Sequence, residues 1–150
     1  MIAVDAATDL SAGGGISIGG RVQNPQLLRA DDLRKLPVAK VDVSYATGHG
    51  QAGGTFSGVL LWTILEKAVL VDGPGKGALV RHVITVTGRD GYAVVLSAGE
   101  LAPDFEGKAV ILALTRNGEP LKPEEGVRLI VPGDKHGGRA VRDVARIDVR

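Results

Sequence analysis

The sequence of 150 residues contains no cysteine, and this absence removes several classes of chemistry. Without a thiol, the chain forms no disulfide framework, ligates no zinc through sulfur and carries no thiol nucleophile. No cellular compartment is excluded, because a cysteine-free chain is at home in oxidising and reducing spaces alike. A chain of this length is long enough to bury a core without disulfides or structural metals.

Aromatic residues, excess charge of one sign and long apolar runs are also scarce. The chain has one Trp, two Tyr and two Phe, so aliphatic side chains are expected to form the core. Its 18 basic and 17 acidic residues leave a formal net charge of +1, which gives no basis for nucleic-acid binding. No apolar run approaches the ~20 residues that span a bilayer. One domain without membrane insertion is therefore predicted.

The start of the chain differs in composition from the rest. Residues 1–15, MIAVDAATDLSAGGG, are predicted to form a flexible leader ahead of a domain over residues 16–150. The leader lacks the basic start and the apolar segment of a signal peptide. It fits the start of a mature exported chain behind an added methionine. This hypothesis would place the protein in the periplasm.

Apolar spacing predicts two helices. The segment NPQLLRADDLRKLP is expected to form a short helix that is capped by Asn24 and stopped by Pro37. A second helix is predicted over residues 58–69, with Ser57 as its cap. Its surface is apolar on most sides, so it is expected to be buried in the core.

Alternating apolar residues predict seven or eight strands, beginning with Ile16–Val22 and including the last residues of the chain. Turns are predicted at Asp90-Gly91 and Asn117-Gly118, and Ser97 is expected to begin a single helical turn. The helices and strands alternate without a strict βαβ rhythm. The predicted fold class is therefore α+β, a single domain with mixed or antiparallel sheets.

A glycine-rich segment, ATGHGQAGG, follows the strand that ends at Tyr45 and is predicted to be a loop. In the functional interpretation, His49 contacts a metal or an anionic ligand from a loop whose backbone N–H groups come close to an anion. In the alternative interpretation, His49 is a solvated histidine between glycines that serve only the turn.

A second glycine-rich segment, PGDKHGGRAVR, is cationic. It contains Lys135, His136, Arg139 and Arg142. Backbone donors and bidentate arginines in such a segment bind phosphate. The alternative is a charged surface turn in which Asp134 and Asp143 dilute the positive charge.

The segment GRDGY is predicted to be a hairpin turn. His82, at the start of another predicted strand, is interpreted as structural.

Five segments together resemble the sulfite-oxidase-like molybdopterin-binding domain. They are SIGGRVQNPQLL…DDLRKLP, FSGVLLWTILEKA, GRDGYAVVLSAGEL, ILALTRNGEPLKPEEGVRLIVPG and GGRAVRDVARIDV, in this order over residues 17–149. The resemblance implies a mixed α+β domain that holds its molybdopterin cofactor in loops at one side of the sheets. Compact exported members of this family exist, which agrees with the periplasmic hypothesis.

The resemblance also implies roles for individual residues. In catalytic members, a cysteine follows the strand that corresponds to VDVSY, and its thiolate binds molybdenum. Ser44 or Tyr45 stands there in this chain, and an oxygen group is a poorer ligand for such a metal centre. Arg139 and Arg142 match a basic pair that binds the phosphate of the cofactor, although Asp143 replaces the usual aromatic residue after it. The segment GRDGY lies near the cofactor pocket in this family, which makes Arg89 and Tyr92 weaker candidates for ligand contacts.

Three functional hypotheses remain open, and the sequence does not decide whether the chain is an enzyme. In the first, the chain binds a pterin or another anionic ligand without thiolate-ligated molybdenum, in a cleft between the loops that follow Tyr45 and Pro132. In the second, it is a cofactor-free accessory or binding module for a redox or sensor protein. In the third, His49 and His136 converge on a divalent metal. The proposed cofactor-binding residues are Tyr45, His49, Arg89, Lys135, His136, Arg139 and Arg142, with no metal ligands assigned.

Overall fold

A computed structural model of the chain describes residues 14–150, so nearly all of the predicted leader lies outside the described residues. The strands are β1 (Ile16–Gly20), β2 (Gln26–Leu28), β3 (Ala39–Thr47), β4 (Gly50–Leu60), β5 (Val83–Gly88), β6 (Ala93–Ser97), β7 (Ile111–Arg116), β8 (Glu119–Pro120), β9 (Arg128–Ile130) and β10 (Val144–Val149). The helices are α1 (Ala30–Arg34), α2 (Leu61–Ala68) and α3 (Ala98–Leu101), with 3₁₀ turns at Leu79–Arg81 and Gly137–Arg139.

Two five-stranded sheets carry the fold. The first has the order β2-β1-β10-β5-β6, and the second has the order β3-β4-β7-β8 with β9 also paired to β7. In the first sheet, β1 and β10 are parallel, with Ser17 beside Arg146, whereas its other neighbouring strands are antiparallel. The strand pairs of the second sheet are all antiparallel. The predicted α+β fold with mixed and antiparallel sheets is confirmed.

The core between the sheets is aliphatic, as the scarcity of aromatic residues predicts. Helix α2 contributes Leu61, Ile64, Leu65 and Ala68, each with 0% of its surface exposed. These side chains pack in one cluster with residues of the first sheet such as Ile18. The predicted burial of this helix is therefore confirmed. Within residues 14–150, no helix is long and apolar enough to cross a membrane.

The predicted start of the buried helix is wrong. Residues 58–60 extend β4, and α2 begins at Leu61. Gly58 pairs with Ala113 of β7, so the backbone hydrogen bonds of the ladder prevail over the helical preference of the sequence. An ideal Cβ on Gly58 would lie 1.9 Å from the carbonyl oxygen of Leu112, which explains the glycine at this close approach. The hydroxyl of Ser57 hydrogen-bonds that of Thr115 instead of capping the helix.

The predicted helix after Asn24 is also only partly correct. Its first half forms β2, which pairs with β1, and α1 covers only Ala30–Arg34. The backbone N–H of Arg29 donates to the carboxylate of Asp32 at 2.9 Å, which closes the start of α1. The Asn24 amide donates to the carbonyl of Lys67 at 3.3 Å and does not cap a helix. Strand pairing with β1 therefore outweighs the helical preference of residues 26–28.

The glycine-rich segment after Tyr45 is a strand rather than the predicted loop. Only Gly48 and His49 form the turn, and β4 begins at Gly50. Gly53 has a φ of 151°, and an ideal Cβ there would lie 2.1 Å from the carbonyl oxygen of Val43. The glycine therefore serves the close approach of two paired strands, and its position in the sequence does not mark a loop.

Other local predictions are confirmed. The Asp90-Gly91 turn joins β5 to β6, and the Asn117-Gly118 turn joins β7 to β8. The hydroxyl of Ser97 accepts the Glu100 N–H at 3.2 Å and so caps α3. The last residues form β10. In total, residues 14–150 contain ten strands, more than the seven or eight predicted, because short pieces such as β8 carry little sequence signal.

Candidate functional site

The β3–β4 hairpin and the cationic segment after Pro132 lie side by side. The backbone N–H of Ala46 donates to the carbonyl of Lys135 at 2.8 Å. Ala46 and His136 also form a parallel β-bridge. The two segments that the sequence analysis assigned to one cleft are thus joined through their main chains.

The buried side chain of Tyr45 packs against this junction. Only 6% of its surface is exposed, and its ring lies against Gly137. An ideal Cβ on Gly137 would lie 2.9 Å from two ring carbons of Tyr45, closer than real Cβ atoms approach. A glycine at residue 137 is therefore needed for the loop to lie on the ring. Tyr45 packs as a buried wall of the junction.

The cationic side chains nearest the junction face solvent. Lys135 and His136 are exposed, and so is His49 in the hairpin turn. The Thr47 hydroxyl fixes that turn, because it donates to the carbonyl of Gly50 at 2.7 Å and accepts the N–H of His49 at 3.1 Å. One ammonium and two imidazoles therefore surround the junction in positions that a ligand from solvent reaches directly.

Arg139 is held by two carboxylates. Its Nε and Nη2 donate to the two oxygens of Asp134 at 2.9 and 2.8 Å, and its Nη1 donates to Glu100 at 3.2 and 3.3 Å. The hydrogen bond from Arg139 is the main cause that lowers the pKa of Asp134. The same bond raises the pKa of Arg139, with burial opposing it and Glu100 adding to it. The positive charge of Arg139 is therefore balanced by two carboxylates of the chain itself.

Arg89 lies in a different environment. Its Nε donates to the carboxylate of Asp143 at 3.2 Å, and its backbone N–H donates to the Asp143 carbonyl at 2.8 Å. Both residues line a cavity of about 310 Å³ together with Lys122 and Leu28. Asp143 has a φ of 48°, a conformation that non-glycine residues seldom adopt. Arg89 thus lines a cavity of its own and is held there by Asp143.

Arg142 is the last of the proposed cofactor-binding residues, and Tyr92 is the remaining weaker candidate. The side chain of Arg142 is exposed, while its carbonyl oxygen would lie 2.6 Å from an ideal Cβ on Gly88. The Tyr92 hydroxyl donates to the carbonyl of Gly138, which ties the β5–β6 hairpin to the cationic segment. The structure therefore brings the segments of Tyr45, Lys135 and His136 together, with His49 in the adjoining turn, whereas Arg89 lines a different cavity. The contact of these residues with a ligand stays a prediction.

Sequence reasoning missed the carboxylates that hold Arg139. Asp134 is five residues away and was interpreted only as diluting the local charge. Glu100 is 39 residues away, in α3, and has no local signal that would associate it with Arg139. Only the tertiary fold brings this residue to the cationic segment.

The residues at the junction do not fit thiolate-ligated molybdenum. The chain has no cysteine. At the corresponding position, Ser44 offers an exposed hydroxyl and Tyr45 a buried phenol. These oxygen groups lack the softness of a thiolate. Among residues 14–150, no group of three His, Cys, Asp or Glu side chains is arranged to hold a metal ion. The exposed cations do suit an anionic group such as a phosphate.

Comparisons with known proteins agree with this architecture. The family model described as oxidoreductase molybdopterin binding domain matches residues 15–150. An uncharacterized oxidoreductase of Bacillus subtilis, YuiH, is 29% identical over 116 residues, which are 76% of this chain and 53% of that protein. The crystal structure of the sulfane dehydrogenase SoxCD from Paracoccus pantotrophus superposes with a TM-score of 0.74 at 21% identity, over 91% of this chain and 38% of that chain. The chain thus spans about half the length of its curated relative.

Proposed function

This chain belongs to the family of oxidoreductase molybdopterin-binding domains of the sulfite oxidase type, and we propose that it binds a pterin or another small anionic ligand without thiolate-ligated molybdenum. The observation that carries the proposal is the junction between the β3–β4 hairpin and the cationic segment. There, the exposed Lys135 and His136 adjoin the hairpin end, and the buried Tyr45 packs beside them.

Each group at the junction has a distinct part in the proposal. The Lys135 ammonium donates to an anionic oxygen as a point charge. The imidazoles of His49 and His136 hydrogen-bond to polar groups of the ligand. Tyr45 and Gly137 hold the two segments at a fixed separation. Because the Lys135 ammonium is exposed, the affinity is expected to fall as salt rises.

A fluorescent anionic pterin, pterin-6-carboxylate, tests the proposal. We expect saturable binding by fluorescence polarisation, weaker at higher ionic strength and weaker still in Lys135→Gln. Lys40→Gln is the matched control, because Lys40 is also an exposed lysine but lies at the other end of β3. Absence of saturable binding to the folded wild-type chain would reject the proposal, and so would an equal loss in both variants.

The absence of thiolate chemistry has a test of its own. We expect no stoichiometric molybdenum in protein purified from its native host under cofactor-replete growth, and no sulfite oxidation above background. The reason is that the chain offers oxygen groups where a thiolate would bind the metal. Molybdenum at one equivalent with steady-state turnover of sulfite would contradict this part of the proposal.

The second candidate function is a cofactor-free accessory module for a redox or sensor protein. The observation that favours it is the binding of Arg139 by Asp134 and Glu100, which uses part of the cationic segment for internal ion pairs. A folded chain that binds no pterin but co-purifies stoichiometrically with a redox or sensor protein from its host would favour this candidate.

A periplasmic location is also part of the proposal, since compact members of the resembled family are often exported. Fractionation of native cells is the test. Recovery of the protein with the cytoplasmic fraction would contradict it.

A further inference from the structure

We infer that the chain has a second anion-binding site, for a phosphate group, in a cavity at the far end of the first sheet. The cavity has a volume of about 200 Å³. The residues that matter in its lining are Arg21, Gly73, Arg81, His82 and Arg150. Its three arginines come from separate parts of the chain, so no sequence motif marks it.

The cavity is remote from the junction at Tyr45. Arg150 follows β10, whereas Arg142 and the cationic segment precede it. β10 has 6 residues, so its two ends lie roughly 20 Å apart at about 3.3 Å per residue. The neighbouring strand β5 runs antiparallel to β10, so its two ends lie beside the same two ends of β10. His82 precedes β5 at the cavity end, and Arg89 follows β5 at the other end. This second site is therefore independent of the proposed pterin site.

The guanidinium groups at this cavity have donors to spare. Arg21 has no side-chain hydrogen bond or ion pair within residues 14–150, and its Nη2 lies near Gly73, 3.8 Å from an ideal Cβ there. Arg81 donates from Nη2 to the carbonyl of Lys76 at 2.8 Å, which leaves its other N–H groups available. Among residues 14–150, the Arg150 side chain has one ion-pair partner, Asp148 at 3.8 Å, and 79% of this side chain is exposed.

His82 gives the cavity a fixed wall. It is 3% exposed. Its Nδ1 lies 3.0 Å from the main-chain carbonyl oxygen of Arg150, and its Nε2 lies 2.8 Å from a carboxylate oxygen of Asp72. The ring thereby fixes the main chain that carries Arg150 and the loop that leads to Gly73. Both ring nitrogens are engaged within the wall, so the arginines are the groups left to contact a ligand.

The charges and the size define the ligand class. Three guanidinium groups stand against the side-chain carboxylates of Asp72 and Asp148 and the main-chain carboxylate of Arg150, the last residue of the sequence. Each of these carboxylates already has a partner within the fold: Asp72 faces the His82 imidazole, Asp148 faces Arg150, and the main-chain oxygen of Arg150 faces His82 and the N–H of Val83. A tetrahedral oxyanion accepts several N–H donors at once, and guanidinium groups suit it in particular. The cavity is smaller than the ~300–1,000 Å³ of drug-sized pockets. A free phosphate or a small phosphate monoester therefore fits better than a large cofactor.

Titration with inorganic phosphate at low ionic strength, followed by NMR chemical shifts, tests this inference. We expect saturable shifts at the backbone amides around Gly73 and His82. Arg21→Gln and Arg81→Gln should each weaken binding roughly tenfold, since each removes charge-assisted hydrogen bonds to the anion. Arg21 is the cleaner variant, because its side chain makes no hydrogen bond within the described fold.

Two controls separate this site from other sources of binding. Arg146→Gln removes an exposed arginine from the middle of β10 and should leave phosphate affinity unchanged. Lys135→Gln should reduce pterin binding but not phosphate binding at this cavity. Failure of the pterin proposal would therefore leave this result intact. Absence of saturable shifts, or an equal loss in Arg146→Gln and Arg21→Gln, would overturn the inference.

The same variants distinguish a soluble phosphate from a lipid headgroup. If the phosphate is carried by lipid, vesicles of phosphatidylglycerol should co-sediment the wild-type chain and release it on Arg21→Gln. If the ligand is soluble, the shifts with inorganic phosphate should occur without any vesicle binding. Either result supports the site and identifies the source of its phosphate.

Discussion

The two ends of the first sheet contain similar numbers of arginines in different electrostatic settings. Beyond one end, Arg139 donates to Asp134 and Glu100, and Arg89 donates to Asp143. Beyond the other end, the arginines make few side-chain contacts, and Arg21 makes none within residues 14–150. Guanidinium groups at the first end stabilise the fold, whereas those at the second are available to a ligand.

This difference shows why a cluster of basic residues in a sequence is a weak guide to an anion site. The segment with the densest positive charge, PGDKHGGRAVR, directs Arg139 to its own Asp134. The arginines at the opposite end are 60 or more residues apart in pairs such as Arg21 and Arg81, and they converge only in the fold. The deciding quantity is the number of carboxylates within reach of each guanidinium.

Glu125→Ala is expected to have the largest effect on stability, because it removes a buried carboxylate that pairs with two arginines of the second sheet. Glu125 is 7% exposed, and its carboxylate forms ion pairs with Arg116 and with the buried Arg128. Burial raises its pKa, but the hydrogen bond from Arg116 and the nearby positive charges outweigh burial, so the pKa is lowered. Loss of one partner of such a buried pair costs about 3–5 kcal/mol.

Urea denaturation at neutral pH measures this effect, with Glu124→Ala as the matched control. Glu124 is the exposed neighbour of Glu125, and its substitution is expected to change the free energy of unfolding by less than about 0.5 kcal/mol. A loss in Glu125→Ala no larger than that of the control would mean that the buried pair does not stabilise the fold.

Arg139→Met is expected to have the next largest effect. The Arg139 side chain is 30% exposed and its two carboxylate partners 22% and 23%, so the substitution leaves two partly buried carboxylates without a cation. We expect a loss of about 1–3 kcal/mol in the free energy of unfolding. The exposed Arg142 serves as control in Arg142→Met, and equal stability of the two variants would contradict the comparison between paired and unpaired arginines.

The Arg139–Asp134 pair also predicts a dependence of stability on pH. The pKa of Asp134 in the folded chain is below its ordinary value of 3.8. The pair therefore contributes stability that is fully present above that value and is lost as pH falls through the lower, folded pKa. We expect Asp134→Asn to destabilise the chain at neutral pH and the difference from wild type to shrink below about pH 4. Unfolding curves from pH 7 to pH 3 measure it; a constant difference would exclude the mechanism.

Arg21→Gln should have the smallest effect on stability. The Arg21 side chain is exposed and has no partner to lose within the described fold, so we expect a change within about 0.5 kcal/mol. Thermal unfolding in phosphate-free buffer is the measurement. A larger loss would mean that this end also depends on its arginines for stability.

The sequence predicted the family, the fold class and many local features correctly, and the resemblance to sulfite-oxidase-like molybdopterin-binding domains is confirmed. The turns at Asp90-Gly91 and Asn117-Gly118 were predictable because turn residues act locally. The start of α2 was not predictable, because Gly58 is held in β4 by hydrogen bonds to β7, which lies some fifty residues later in the chain. Pairing across the sheet has no signature in a local window.

The candidate site was also predictable only in part. The proximity of the Tyr45 and His136 segments followed from the resemblance and is found as the bridge between Ala46 and His136. The glycine-rich segment was wrongly predicted as a loop, because glycines that allow close strand pairing look the same in sequence as glycines of a turn. Glu100 could not be associated with Arg139 before the fold was known.

The position of β10 has a consequence for the synthesis of the chain. This strand lies between β1 and β5, and it pairs Ser17 with Arg146. On the ribosome, the β1–β2 and β5–β6 pairs therefore emerge long before the strand that unites them. Until residues 144–149 appear, the facing edges of β1 and β5 lack their partner, and such open edges are prone to pair with other chains. Insertion of β10 between them is a late, non-local step, and topologies of this kind fold slowly.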